Sequence, residues 1–467
     1  MAYRSTNPYT GKVVAEFATL ADQELEAKMA KAQLAFQSWR KTTIEYRADI
    51  VRRAAELVME RREELAAYNT METGKLFTIA CWELNLVADI FNYYAAHAHE
   101  FLTPKKIVNN DPMAGNAVGI FQPLGIIYEI EPWNVPYFQI TRPLAAQLMA
   151  GNVVVLKHAS NVPQCAAAME KLMLDAGLPE GVFQNLFISY EQSDRLIADP
   201  RVCGVTITGS TDVGRGVAAR AGQNLKKIVL ELGGSDAMLV LDDADIETAV
   251  QGAIMGRMTI SGQVCAGDKR MFVHESLFDA FKSGVKAAID GMVAGDPMDA
   301  ATTLSPVSSA KAAEKVREQI ALAVAHGAIA EEAGPRVPAD RPAFVQPTIL
   351  TGVTEDNPVF DQEIFGPVLQ IYSFSDEAEA IRLANHSQFG LGGSVYSKDP
   401  SHALKVAGEI EAGAISINQP TMASPAIPFG GIRNSGYGRE LGREGIIEFT
   451  NQKYINTASF DITALYE

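Results

Sequence analysis

A chain of 467 residues, 47% apolar and 21% charged, can bury several cores, and its length alone predicts about three domains. Lysine plus arginine number 40 and aspartate plus glutamate 56, a formal charge of −16 that disfavours nucleic-acid and anionic-membrane partners. Four scattered cysteines (Cys81, Cys165, Cys203, Cys265) exclude a zinc-finger or disulfide framework, and the absence of a signal-peptide core or a long apolar run leads to the expectation of a soluble, cytoplasmic protein.

Residues 8–18 predict a short hairpin turning at Tyr9-Thr10-Gly11-Lys12, and three amphipathic helices are expected near 21–39, 43–68 and 76–100. In the second, Ile50, Val51, Ala54, Leu57 and Val58 keep a helical period. A polar excursion covers 102–115. From about 118 the pattern changes. Apolar runs at 118–121, 125–130, 153–156, 182–187, 204–207 and 228–230 alternate with helices near 162–176, 191–198 and 211–222. That alternation predicts βαβ units and a mostly parallel sheet. After Gly233-Gly234 a second series begins. Its strands are expected at 237–241, 271–273, 367–373, 391–396 and 413–417, with helices near 244–258, 276–290 and 307–326. A glycine-rich loop at 428–438, a short helix and an alternating tail after Asn451 close the chain, and without linkers the domains are expected to interleave.

Cys265, in Ser261-Gly262-Gln263-Val264-Cys265-Ala266-Gly267, is the candidate nucleophile: small neighbours let a ligand approach a thiol, whose active form is the thiolate. A free cysteine is otherwise a small buried hydrophobe. Thr208-Gly209-Ser210-Thr211 follows a strand and opens a helix, which suits a phosphate or simply caps the helix. Lys157 ends a buried-looking strand where ligands bind, or is a surface lysine, and Glu231 is a carboxylate among apolar residues, a candidate base or an edge glutamate. Asn134, between Pro132 and Pro136, offers a rigid amide to an oxyanion, or serves its own turn. Glu363 and Phe365 offer a carboxylate for ribose and a ring for stacking, or a helix end and a core residue.

In this order the stretches resemble the aldehyde dehydrogenase superfamily, and within it the succinate-semialdehyde dehydrogenases. The matching segments are Pro-Trp-Asn at 132–134, Leu-Lys-x-x-Ser at 156–160, Thr-Gly-Ser-Thr, Glu-Leu-Gly-Gly, Gly-Gln-x-Cys, Glu-x-Phe-Gly-Pro and Pro428-Phe429-Gly430-Gly431. The resemblance implies an α/β fold with two Rossmann-like parallel-sheet domains and a small β oligomerisation domain. Residues 1–102 and 119–232 would bind the cofactor, 233–440 would carry catalysis, and 103–118 with 441–467 would assemble a homodimer or homotetramer.

It implies that Cys265 attacks the aldehyde, Asn134 and the Cys265 N–H hold the oxyanion, and Glu231 activates water to release a free acid. Trp133, Lys157, Ser160, Gly209, Ser210, Glu363 and Phe365 would meet the cofactor. Ser160 stands where NAD-preferring members commonly carry a glutamate, so NADP is expected, with NAD tolerated. Arg142 and Ser424 match residues that read the succinate-semialdehyde carboxylate, although Arg142 is equally readable as a salt-bridge residue, and a second arginine of relatives is Thr259 here. The competing expectations are another ω-oxo acid or aliphatic aldehyde as substrate, and a non-redox cysteine acyltransferase or hydrolase. No metal is expected.

Overall fold

The computed structural model describes residues 3–108, 113, 115–459 and 461–463. Expectations that touch residues 1–2, 109–112, 114, 460 and 464–467 lie, for those positions, outside the described residues. The chain opens with β1 (Tyr3–Thr6) and β2 (Val13–Phe17), an antiparallel hairpin. Four helices follow, α1 (Asp22–Trp39), α2 (Ile44–Glu60), α3 (Arg62–Thr73) and α4 (Phe77–Phe101). The helix expected over 43–68 is therefore two, broken at Arg61, whose φ of −107° and ψ of 17° leave the helical range.

Strands β3 (Lys105–Ile107) and β4 (Asn116–Pro123) form an arm. The main body continues with β5 (Ile126–Glu131), α5 (Pro136–Ala150), β6 (Val153–His158), α6 (Pro163–Asp175) and β7 (Phe183–Asn185). Then come α7 (Tyr190–Ala198), β8 (Val202–Thr208), α8 (Thr211–Gln223) and β9 (Lys227–Glu231). Helix α5 has no counterpart among the expected elements. Every one of its residues is buried, so no polar face marks a helical period, and Pro136 and Pro143 read as breakers. Pro136 sits in the first turn, where a missing N–H leaves no bond unmade.

The second half contains β10 (Asp236–Val240), α9 (Ile246–Met258), β11 (Asp268–His274), α10 (Glu275–Asp290) and α11 (Ala310–Ala325). It goes on through β12 (Ile329–Glu332), β13 (Thr348–Thr351), β14 (Val368–Phe374), α12 (Glu377–Asn385), β15 (Gly392–Tyr396), α13 (Pro400–Glu409) and β16 (Ala414–Ile417). The chain closes with β17 (Gly436–Tyr437), α14 (Gly442–Glu448) and β18 (Thr450–Thr457).

Two larger sheets result, in the orders β17-β9-β8-β5-β6-β7 and β12-β13-β14-β11-β10-β15-β16. All pairs are parallel except the edge strands β17 and β12. Their central strands are apolar and β-branched because helices cover both faces. The alternation along β5 makes this visible: the Tyr128 hydroxyl meets Ser193 of α7 at 2.7 Å, while its neighbour Glu129 feels the charge of Arg142 on α5.

A third sheet, β18-β4-β3, is antiparallel. The arm thus runs to Pro123, beyond the boundary expected at 118, because β4 continues pairing with β18 as far as Thr450. Residues 441–449 do not belong to the arm: Leu441, Ile446 and Phe449 pack into the core around the first sheet. No helix among the described residues is long and apolar enough to cross a membrane.

The fully buried Asn152 ties three parts of this body together. Its Oδ1 accepts from the Gly125 N–H (2.9 Å), and its Nδ2 donates to Gln147 Oε1 (2.8 Å) and to the Phe449 carbonyl (2.9 Å). An Asn152→Ala variant leaves these groups unpaired, at about 1–3 kcal/mol each. Its urea-unfolding midpoint should fall clearly below that of the parent. An unchanged midpoint would refute this account of how the C-terminal segment is held.

Candidate active site

Successive strands of the first sheet run outward from β5 and β8, which lie side by side. The loops leaving such a switch point form a crevice. Here Pro132-Trp133-Asn134 after β5 and Gly209-Ser210 after β8 line a cavity of about 320 Å³. Its opposite wall comes from segments leading into the second sheet: Cys265 before β11, and Glu363 and Phe365 before β14. A second cavity, also about 320 Å³, is lined by Trp82, Phe138, Met255 and Phe429 among others. The two share Asn134, Gln139 and Cys265. The thiol stands where they meet. A larger cavity, about 630 Å³ beside the β1–β2 turn, touches Trp133 but is not lined by Cys265.

The backbone before Cys265 takes an uncommon path. Ile260, Ser261 and Gly262 have φ of 55°, 50° and 78° in succession, a region that a β-branched residue rarely enters. Several anchors hold it there. Ser261 Oγ donates to the Ser305 carbonyl (2.6 Å), the Ser308 N–H donates to Gln263 Oε1 (2.9 Å), and Arg257 donates to the carbonyls of Gly262, Ile364 and Val368. A Cβ on Gly262 would lie 2.1 Å from the Gly366 oxygen, so this glycine answers to both φ and space.

Lys269 then wraps the cysteine. Its buried ammonium donates to the carbonyls of Val264 (2.8 Å) and Cys265 (2.6 Å) and lies 3.3 Å from Glu363. In a trans peptide the C=O and the following N–H point in opposite directions. Fixing the Val264 carbonyl on Lys269 therefore turns the Cys265 N–H away from it, and that N–H has no partner among the described residues. Burial pushes the Cys265 thiol up to about 11, against the pull of the Arg142 and Lys269 charges.

Asn134 is buried, accepts from Gln139 Nε2 on Oδ1 (3.3 Å) and donates from Nδ2 to the Gln263 carbonyl (3.0 Å). Phe365 meets Trp133 edge to face, ring centroids 5.9 Å apart, and Glu363 also accepts from the Gly234 N–H (3.2 Å). Lys157 is buried at the end of β6. Its ammonium lies 5.0 Å from the Tyr190 ring centroid and has no hydrogen-bond partner among the described residues; burial lowers it to about 8. An unpaired buried cation fits an anionic ligand. Ser160 is half-buried beyond it, its carbonyl accepting from the Arg4 N–H (2.9 Å). The α8 N-terminus at Ser210 has no side-chain cap, which leaves its N–H groups for a phosphate.

Three predicted residues stand elsewhere than expected. Glu231 lines neither cavity; its carboxyl faces Gly430, and burial drives it well above the usual carboxylate range. Arg142 is not in the substrate chamber either. It is buried in α5, 3.2 Å from Glu440, and donates to Thr208 (2.9 Å) and Gln139, so its charge is already taken. Ser424 is half-buried and does not line the cavity, although Ala423 before it and Phe429 after it do.

Lys269, Gln139 and Glu440 were not legible as site residues, nor was the pairing of Arg142 with Glu440, because each depends on groups whose positions only the fold defines. Among the described residues no group of three or more His, Cys, Asp and Glu could hold a metal.

Comparison with known proteins agrees with this geometry. A Deinococcus radiodurans protein named succinate-semialdehyde dehydrogenase [NADP(+)] is 44% identical over 454 residues, 97% of this chain and 94% of its own. The solved structure of Gox0499 superposes with a TM-score of 0.96 at 47% identity, covering 98% of this chain and all of that one. A Streptococcus pyogenes succinic semialdehyde dehydrogenase, solved with NADP+, gives 0.95 at 43% identity with the same coverage. The sequence profile of the aldehyde dehydrogenase family matches residues 1–455. With Cys265 between two cavities and near-complete coverage in each comparison, this chain belongs to the aldehyde dehydrogenase family.

Proposed function

We propose that the chain oxidises succinate semialdehyde to succinate, using NADP in preference to NAD. The observation that carries this reading is Cys265 at the junction of the two cavities, one polar-rimmed at the sheet switch point and one lined by aromatic and aliphatic side chains. The names of the relatives support the substrate and the cofactor. When bound, the nicotinamide cofactor supplies the hydride acceptor. Trp133, Gly209, Ser210, Glu363 and Phe365 would hold it in the first cavity, with Lys157 and Ser160 meeting its adenosine ribose and 2′-phosphate.

The chain's own residues do the rest. The Cys265 thiolate attacks the aldehyde carbon, and the Asn134 amide and the Cys265 N–H stabilise the oxyanion as it forms. Glu231 takes a proton from the hydrolytic water once its side chain has swung from Gly430 towards the thiol. The small β18-β4-β3 sheet exposes Ile107 and Tyr454, with Val108 exposed just beyond β3, and covering these side chains supports a homodimer or homotetramer.

A second reading concerns the substrate. The cation lining the chamber, Lys75, is buried against Glu83, which also accepts the Tyr137 and Phe138 N–H groups. The Thr259 and Thr421 hydroxyls donate to the carbonyls of Met255 and Gly393. Such a chamber favours uncharged aliphatic aldehydes as additional or alternative substrates.

Four measurements test these assignments. Cys265→Ala should abolish aldehyde-dependent cofactor reduction. In the parent, alkylation of Cys265 by iodoacetamide, followed on its peptide by mass spectrometry, should accelerate about tenfold per pH unit from 7 to 9, because a thiol near 11 ionises in that proportion. A rate that levels off below pH 9 contradicts the raised thiol.

Succinate semialdehyde should exceed butyraldehyde in kcat/KM; a ratio near one makes the aliphatic aldehyde the better reading. Ser160→Glu should move the NADP-to-NAD ratio of kcat/KM by at least about tenfold towards NAD, since a carboxylate repels the 2′-phosphate. Retained NADP preference removes Ser160 from the account.

A further inference from the structure

A side-chain amide is nearly symmetrical in shape and opposite in polarity at its two ends. An oxyanion is stabilised by the NH2 end of Asn134 and repelled by the oxygen, so something must decide which end faces it. The decision can be followed through the hydrogen bonds. Arg142 has only donors. Its guanidinium is held 3.2 Å from Glu440 and lies between the Phe138 and Phe429 rings, 4.9 Å from each centroid. Donating to Gln139, it compels that amide to present Oε1, which leaves Nε2 to face the other way. There Nε2 donates to Asn134 Oδ1 at 3.3 Å. The Asn134 oxygen is thereby occupied, and its Nδ2 carries one hydrogen to the Gln263 carbonyl at 3.0 Å and one hydrogen to spare.

We propose that Arg142 and Gln139 are positioning residues that set the polarity of the Asn134 amide, so that its NH2 end is the one offered at Cys265. This rests on Asn134 being the oxyanion donor. Arg142 then serves the reaction from behind the chamber wall without meeting the substrate. Gln139 is equally buried, lines both cavities, and has both ends of its amide engaged. A hydrophobic side chain of the same length would fill its space without transmitting polarity.

The test is Gln139→Glu, which keeps the shape and replaces the donor facing Asn134 Oδ1 by a second acceptor. The ionised carboxyl repels that oxygen and draws the NH2 end towards itself. Losing an oxyanion donor costs about 10²–10³ in rate, so kcat should fall by about that factor with KM changed only a few-fold and an unaltered thermal midpoint.

Acid should partly restore the variant, because a protonated carboxyl again has a hydrogen to donate. The ratio of variant to parental kcat should therefore rise as pH falls from 8 to 6, by at most about tenfold per unit, the limit for a carboxyl above its pKa. The other charged groups around Arg142, namely Glu129 and Glu131 on β5, Glu231 on β9, Glu440 and Cys265, are common to both proteins and largely cancel in that ratio.

In an Asn134→Ala background Gln139→Glu should have little further effect on kcat. If Gln139→Glu lowers kcat equally with and without Asn134, or its ratio to the parent is flat with pH, the polarity proposal fails while the role of Asn134 stands. If Asn134→Ala itself leaves kcat unchanged, the reading of Asn134 fails and the proposal with it. Should Gln139→Glu be poorly folded, Gln139→Met carries the test: a smaller loss of kcat than in Asn134→Ala, absent in the double variant, supports the proposal, and an additive loss overturns it.

Discussion

The active-site architecture depends on one buried ammonium. Lys269 holds the Val264 and Cys265 carbonyls, and through Glu363 it connects the cysteine loop to the segment entering β14. Burying a cation is unfavourable unless its donors are matched, and here backbone oxygens and one carboxylate match them. The same geometry that satisfies Lys269 leaves the Cys265 N–H without a partner among the described residues. A free donor beside a nucleophile is what acyl chemistry requires. Arg257, in the last turn of α9, repeats the device with three carbonyls around one guanidinium, and this permits three successive left-handed residues ahead of the thiol.

A second buried group lies beneath the floor of the site. Arg142 is surrounded by Glu129, Glu131, Glu231 and Glu440, and burial raises the first three of these well above the ordinary carboxylate range. One guanidinium cannot balance four ionised carboxyls in a dry interior, so some of them hold protons. Burial thus favours the protonated form of Glu231 while it faces Gly430, and movement towards solvent or the thiol would favour ionisation. The position of the side chain and its protonation are one variable.

Most of the parallel framework was legible, because strands such as Val153–His158 are short, apolar and bounded by turns. What escaped did so for particular reasons. Helix α5 has no polar stripe, and its prolines argue against a helix when neighbours are unknown. Short helices such as α12 and α13 carry little period in nine or ten residues. For the site, each stretch was ambiguous by itself, and the family resemblance of their joint order brought together Cys265, Asn134, Glu363 and Phe365, which line one cavity. The burial of Arg142 could not, since its partner Glu440 lies almost three hundred residues further along the chain. Ser424 fails similarly: a match in spacing says nothing about which way a loop turns.

The two-residue strand β17 has a consequence for how the chain reaches this state. Gly436 and Tyr437 pair with Glu231 and Leu230 at the edge of the first sheet, and Phe449 closes against Gly204 in its interior. During synthesis the ribosome delivers the first sheet about two hundred residues before its last strand exists. Until then β9 presents an open edge, and the core beneath it lacks Leu441, Ile446 and Phe449. Native topology of this kind makes folding slow, and its nascent intermediates are natural clients for chaperones.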